Sequence, residues 1–179
     1  LTDVTGVQTC ALPISGVEIS TGSLGHGPSI GVGMALDARI RNAPHRVFVI
    51  VGDGECNEGS VWEAAMTAGK HGLANLTLLV DYNKMQSYGT TRAVLDLEPF
   101  ADKWSSFGFG VSECDGHGVA GLRRALSRLP LTGNRPSAVI CHTVKGKGAP
   151  CAEHNASWHH KNRLTDEEIA MLYGALESP

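Results

Sequence analysis

The chain has 179 residues, of which 42% are apolar and 18% charged, with a formal net charge of −3. That length suits one domain, and at 6% aromatic content its core must rest on Ala, Val, Leu and Ile. There is no basic field to hold nucleic acid or an anionic membrane, and no run of about 18 apolar residues to span a bilayer.

In chain order, residues 1–15 (LTDVTGVQTCALPIS) follow neither the helical nor the strand period. They also lack the basic start and continuous apolar stretch of a signal peptide. Residues 4–14 resemble the translation of a sequencing-library adapter. A non-native leader is therefore expected at 1–15, and the domain proper at 16–179, truncated at its start. Setting Cys10 aside leaves Cys56, Cys114, Cys141 and Cys151, with no CxxC pair among them. That points away from zinc or a disulfide framework and toward a reducing, cytoplasmic compartment.

A helix is expected over 29–41, with Ile30, Met34 and Ile40 among small residues. Residues 46–51 (RVFVIV), 76–80 (LTLLV) and 138–143 (AVICHT) read as buried strands, with a weaker fourth at 110–114. An Ala-rich helix over 61–71 ends at Gly72, a suitable cap. Residues 119–129 carry Leu122, Leu126 and Leu129 along one side and Arg123, Arg124 and Arg128 elsewhere. Residues 165–176 open on Thr165 with Glu168 three positions on, a capping box. Residues 99–104 and 143–162 are expected as irregular connections. Apolar strands alternating with helices predict an α/β fold: a doubly wound, mostly parallel sheet with helices on both faces. Such sheets bind ligands beyond the carboxyl ends of their strands.

Gly52-Asp53-Gly54-Glu55 follows the strand at 46–51, and Asp81-Tyr82-Asn83-Lys84-Met85 follows the strand at 76–80. Asp53 and Asn83 lie thirty positions apart, enough for a loop, a helix of about three turns and a strand. A right-handed crossover then brings the two strand ends out side by side. A carboxylate, an amide oxygen and a nearby backbone carbonyl form an oxygen-only set. That set suits Mg²⁺ or Ca²⁺, with phosphate oxygens or water completing the shell. Gly52 and Gly54 let the backbone approach a diphosphate, and a helix opening near Gly59 adds a positive dipole end. A capped turn with Asx hydrogen bonds is the structural alternative for the pair.

The ordered segments TGSLGHG (21–27), GDGECNEGSVWEAA (52–65), VDYNKMQSYG (80–89), DGH (115–117), TVKGKG (143–148) and WHHK (158–161) carry a resemblance. From about Glu18 onward the chain resembles the amino-terminal, thiamine diphosphate-binding region of transketolase, most nearly its separately encoded amino-terminal subunit. The resemblance implies thiamine diphosphate and Mg²⁺ (or Ca²⁺) as cofactors. Asp53 and Asn83 would bind the metal through side-chain oxygens and Met85 through its carbonyl. Gly52, Gly54 and Asn83 would meet the diphosphate, with Gly22 and Leu24 along the cofactor. Glu58 and Glu63 match an acidic pair linking two cofactors across a subunit interface. His159 matches a histidine that reaches the diphosphate and the substrate's reacting end, and Lys145 and Lys147 lie on a loop approaching it. Without the resemblance, Glu58 and Glu63 are also ordinary first-turn acids, and His159 and His160 ordinary loop residues. His26, where the family often has Gln, and His117 read as structural, and the cysteines as inert.

The activity so implied moves a two-carbon ketol unit between sugar phosphates, a step of the pentose phosphate pathway. A pyrimidine-binding carboxyl-terminal subunit would complete the site, with at least two chains of each kind in a heterotetramer. The single chain is expected to show no turnover. The alpha subunit of a 2-oxo acid dehydrogenase and a 1-deoxyxylulose-5-phosphate synthase-like enzyme share the GDG and the later Asn. VWEAA and WHHK favour transketolase. A fragment that binds cofactor without turnover is the remaining alternative.

Overall fold

A computed structural model describes residues 16–177; the expected leader at 1–15 lies outside the described residues. Helix α1 (His26–Ile40) precedes β1 (Val47–Gly52), and α2 (Gly59–His71) leads to β2 (Leu76–Tyr82). A small ribbon of β3 (Met85–Gln86) and β4 (Gly89–Thr90) follows. Helices α3 (Thr91–Val94) and α4 (Phe100–Ser106) then lead to β5 (Gly110–Asp115). The chain returns through α5 (Val119–Ser127) to β6 (Ser137–His142) and ends in α6 (Asp166–Glu177).

The main sheet runs β1-β2-β6-β5, and every neighbouring pair is parallel. The β1→β2 and β5→β6 connections travel across it in opposite directions. Right-handed crossovers therefore set α2 and α5 on opposite faces, which is the doubly wound arrangement the sequence predicts. All four strands fall within two residues of their expected bounds, because their apolar runs are continuous and bounded by turn residues.

Register assigns the faces. Val47 pairs with Leu76 and Val51 with Val80, while Leu78 pairs with Ala138 and Val80 with Ile140. All of these are buried in one core cluster with residues of α1, α2 and α4. The few aromatics gather at one end of that core: Trp62 lies 4.8 Å from Trp104 and 5.5 Å from Phe107, and Trp104 lies 5.3 Å from Phe109. The indole N–H of Trp62 donates to the Cys56 carbonyl at 2.9 Å, which satisfies its polar edge inside the cluster. The core is thus aliphatic under the sheet but aromatic at this end. The strand at 46–51 is buried on one face only, not throughout as its apolar run predicts. Phe48 and Ile50 on its other face stand 44% and 73% exposed, because β1 is an edge strand and among the described residues no helix packs over that face.

Residues 99–104 correct the sequence reading. They belong largely to helix α4, whose Phe100 and Trp104 are buried. Seven residues are too few for a helical period to register, and tertiary burial rather than propensity holds the helix. Residues 143–162 are irregular as expected, apart from a 3₁₀ turn at Ala156–Trp158. Gly72 closes α2 in the left-handed region at φ 56°. The capping box forms: Thr165 N–H donates to Glu168 Oε2 at 3.0 Å and Glu168 N–H to Thr165 Oγ1 at 3.3 Å. Helix α5 buries no residue fully, in keeping with its arginine-rich outer side. Among the described residues, no helix is long and apolar enough to cross a membrane.

Candidate functional site

Gly52 pairs with Asp81 in the sheet, so β1 and β2 release their chains at one level. Asp53 N–H donates to the Asp81 carbonyl at 3.1 Å. The Asp53 side chain, 1% exposed, accepts the Gly54 N–H at Oδ1 (2.7 Å) and the Lys84 N–H at Oδ2. Asn83 Oδ1 accepts the Met85 N–H at 2.9 Å. Asp53 and the Asn83–Met85 segment therefore converge across the crossover. The Asx-type bonds of the structural alternative are present too. Each of these oxygens keeps a second lone pair, so the bonds orient the donors without exhausting them.

The electrostatics leave this pair short of positive charge. Burial pushes the Asp53 carboxyl up to about 6, against the lowering by the Lys84 and Gly54 N–H groups; Asp81 adds to the rise and Lys145 opposes it. A divalent cation supplies what such a carboxylate lacks. Among the described residues no three His, Cys, Asp or Glu side chains gather to hold a metal. A cation here would use the mixed set of carboxylate, amide and carbonyl oxygens that suits Mg²⁺. A Cβ added at Gly52 would meet nothing within 4 Å, which leaves room beside the carboxylate. One at Gly54 would come 2.8 Å from Gln86 Cβ, because the β3–β4 ribbon lies over this loop. Gln86 fastens the ribbon there by donating to Asn57 Oδ1 at 3.1 Å.

Glu55, which completes the GDGE segment but carries no expected role, ties two loops together. Its carboxylate accepts the Gly25 N–H at 2.9 Å and the Gly52 N–H at 3.3 Å, while Ser60 Oγ donates to the Gly25 carbonyl at 3.1 Å. The TGSLGHG loop is thereby held against the GDG loop. Gly22 and Leu24 lie just before α1 on that loop and are exposed, Leu24 by 52%. Glu58 stands at the N-cap of α2 and Glu63 on the helix, and both are exposed. His26 Nδ1 lies 3.2 Å from the Leu24 carbonyl, and His117 Nε2 accepts the Val144 N–H at 2.7 Å, consistent with structural roles.

His159 reaches the same region through the ribbon. Its Nε2 lies 3.2 Å from Ser87 Oγ, as does Nε2 of His160. The two rings sit edge to face, 4.3 Å apart. His159 Nδ1 is buried with no partner among the described residues. Burial, with Lys145 and His160, holds this ring below the usual imidazole range. The Lys145 charge acts on both Asp53 and His159, whereas Lys147 pairs with Glu153 at 3.8 Å. Burial pushes the thiols of Cys56 and Cys141 up, Cys141 to about 12, which matches their reading as inert. Sequence reasoning missed Ser87, Gln86 and Glu55, whose long-range partners lie 29 to 73 positions away; only their places inside the GDGECNEGSVWEAA and VDYNKMQSYG segments signal them.

Fold and site together define a doubly wound α/β ligand-binding domain with its polar centre at neighbouring strand ends. Residues 10–177 match the family described as "Transketolase, thiamine diphosphate binding domain", and the chain belongs to that family. It is 42% identical over 149 residues to an apulose-4-phosphate transketolase subunit of Phocaeicola vulgatus, covering 83% of this chain and 53% of that protein. It is also 42% identical over 162 residues to the "6-deoxy-6-sulfo-D-fructose transketolase subunit SqwG" of Clostridium sp., covering 90% and 58%. The chain thus spans about half the length of these curated relatives. Among solved structures, the transketolase of Campylobacter jejuni superposes with a TM-score of 0.80 at 30% identity, over 89% of this chain and 26% of that one.

Proposed function

We propose that this chain is the cofactor-binding part of a two-subunit transketolase, acting with Mg²⁺ (or Ca²⁺) and thiamine diphosphate. The carrying observation is the Asp53 carboxylate accepting the Lys84 N–H, which draws Asp53 and the Asn83–Met85 segment to one point at the strand ends. Asp53 and Asn83 would hold the cation through their side-chain oxygens and Met85 through its carbonyl. Gly52, with open space beside it, gives the diphosphate close access to backbone next to Gly54 under the ribbon, and His159 and Lys145 offer it positive or donor groups. Gly22 and Leu24, held near by Glu55, would line the cofactor's length.

When bound, thiamine diphosphate supplies the nucleophilic carbon and the electron sink for ketol transfer. The chain's own residues bind and orient it. Asp53 and Asn83 fix the metal, and His159 holds a hydrogen-bond donor or acceptor toward phosphate or substrate hydroxyls. We assign Glu58, at the N-cap of α2, and Glu63, on α2, both exposed, to a face toward a second copy. Relatives whose names make each of them one subunit of a transketolase support a partner chain, here a pyrimidine-binding one that completes the site in a heterotetramer. The substrates we assign are sugar phosphates, and the compartment is the cytoplasm.

Asp53→Ala tests the reading in the complex assembled with that partner, by calorimetry of thiamine diphosphate with and without Mg²⁺. Loss of outer partners already weakens metal sites by about 10–100-fold, so removing a direct ligand should cost more than about 100-fold. Unchanged Mg²⁺-dependent affinity would overturn the assignment.

A further inference from the structure

We propose that Ser87 is a positioning residue that sets the tautomers of His159 and His160, so that His159 presents Nδ1–H as a donor to a phosphate-class anion. This rests on the diphosphate reading above. Ser87 occupies the turn of the β3–β4 ribbon, between Gln86 and Gly89, and the same ribbon covers Gly54. Its hydroxyl is 3.2 Å from Nε2 of both histidines. A hydroxyl has one hydrogen and two acceptor lone pairs. Two bare Nε2 lone pairs cannot both be served by it, so at least one histidine must carry its proton on Nε2 and donate to Ser87.

The buried, unpartnered Nδ1 of His159 decides which. A buried polar atom without a partner is unfavourable, and an anion beside it is relieved best by an N–H. In that state Ser87 Oγ–H donates to His159 Nε2, His160 Nε2–H donates to Ser87, and His159 Nδ1–H faces the anion. The step is proton-neutral: His160 keeps its Nε2–H throughout, His159 gives its Nε2 proton to solvent and takes one from solvent at Nδ1, and the Ser87 hydroxyl, until then an acceptor from both rings, rotates its hydrogen onto His159 Nε2. Lys145, whose charge acts on both His159 and Asp53, places positive potential in the same region. Its effect on the ring also favours neutral His159, in which the tautomer matters.

The test uses the chain with ¹⁵N-labelled histidine, assembled with its partner subunit, in wild-type, Ser87→Ala and Ser87→Thr forms. Long-range ¹H–¹⁵N spectra report each ring's tautomer, and calorimetry reports binding of Mg²⁺ with inorganic pyrophosphate. In wild type, pyrophosphate should convert His159 Nδ1 to the N–H type. Ser87→Ala should lose that conversion, shift both histidine Nε2 signals without ligand, and weaken pyrophosphate about tenfold, the scale of one hydrogen bond. Ser87→Thr, which keeps the hydroxyl, should behave as wild type. Wild-type binding with Ser87→Ala matching it in affinity and in both spectra would overturn the role of Ser87 and leave the diphosphate reading standing. Failure of wild type to bind either Mg²⁺-pyrophosphate or Mg²⁺-thiamine diphosphate would overturn both.

Discussion

Gly69 lies in the last turn of α2, where an alanine would ordinarily improve helix propensity by up to about 1 kcal/mol. Here a Cβ would sit 1.9 Å from the Phe107 carbonyl oxygen and 3.1 Å from its carbon. The obstacle is backbone, so it cannot rotate away as a side chain could. The clash outweighs the propensity gain, because overpacking a core typically costs about 1–3 kcal/mol. Gly69→Ala should therefore lower stability by about 1–3 kcal/mol, measured as a drop in the urea midpoint with an unchanged slope. A stabilised variant would mean that α2 and the turn after α4 part easily. Asp53 and Asn83, by contrast, are legible from sequence, since each directly follows a strongly apolar strand and the thirty-position spacing fits one crossover. Glu55 and Ser87 are not legible, because their meaning lies in partners such as Gly25 and His159 that no local period brings near.

Elements divide along similar lines. Helix α6 has no fully buried residue, so its start depends on local chemistry. The Thr165–Glu168 box supplies two bonds, and Lys161 Nζ donates to Glu168 Oε1 at 2.6 Å. An N-cap of this kind contributes about 0.5–2 kcal/mol. Thr165→Ala should accordingly raise amide exchange across Asp166–Glu177 several-fold and leave the sheet unchanged. Equal exchange in both proteins would show that packing rather than capping fixes the helix. The box is readable in the sequence because it is a pattern of neighbours. Helix α4 is not, because seven residues give no period and Trp104 and Phe100 belong there only once Trp62 and Tyr82 are beside them.

Across the whole molecule, the Tyr82–Glu98 bond (2.5 Å) ties the end of β2 to the connection leading to β5. Burial, then the Glu98 bond and charge, holds the Tyr82 hydroxyl above its usual value of 10. Tyr82, followed by the Phe100 N–H, holds Glu98 below its usual 4.5. The folded tyrosine resists ionisation, so its contribution is full below pH 10 and is lost as pH rises beyond it. The folded glutamate resists protonation, so its contribution is full above pH 4.5 and is lost as pH falls through its lowered value. Tyr82→Phe should flatten the alkaline fall in melting temperature and shrink the acid one, which the Phe100 N–H still sustains. An alkaline limb identical to wild type would assign that loss of stability to other groups.

The four strands, the α/β class and the Asp53–Asn83 pair were set by the sequence alone. Continuous apolar runs bounded by turn residues mark parallel strands, although β1 buries only one of its faces, and chains leaving such strands emerge at one edge of the sheet. Tertiary structure alone decided which loops lie on one another: Glu55 against Gly25 and Gly52, the ribbon over Gly54, and Ser87 between two histidines. Apart from the local Glu55–Gly52 bond, those contacts join residues far apart in the chain, and they exist only after folding has closed the distance.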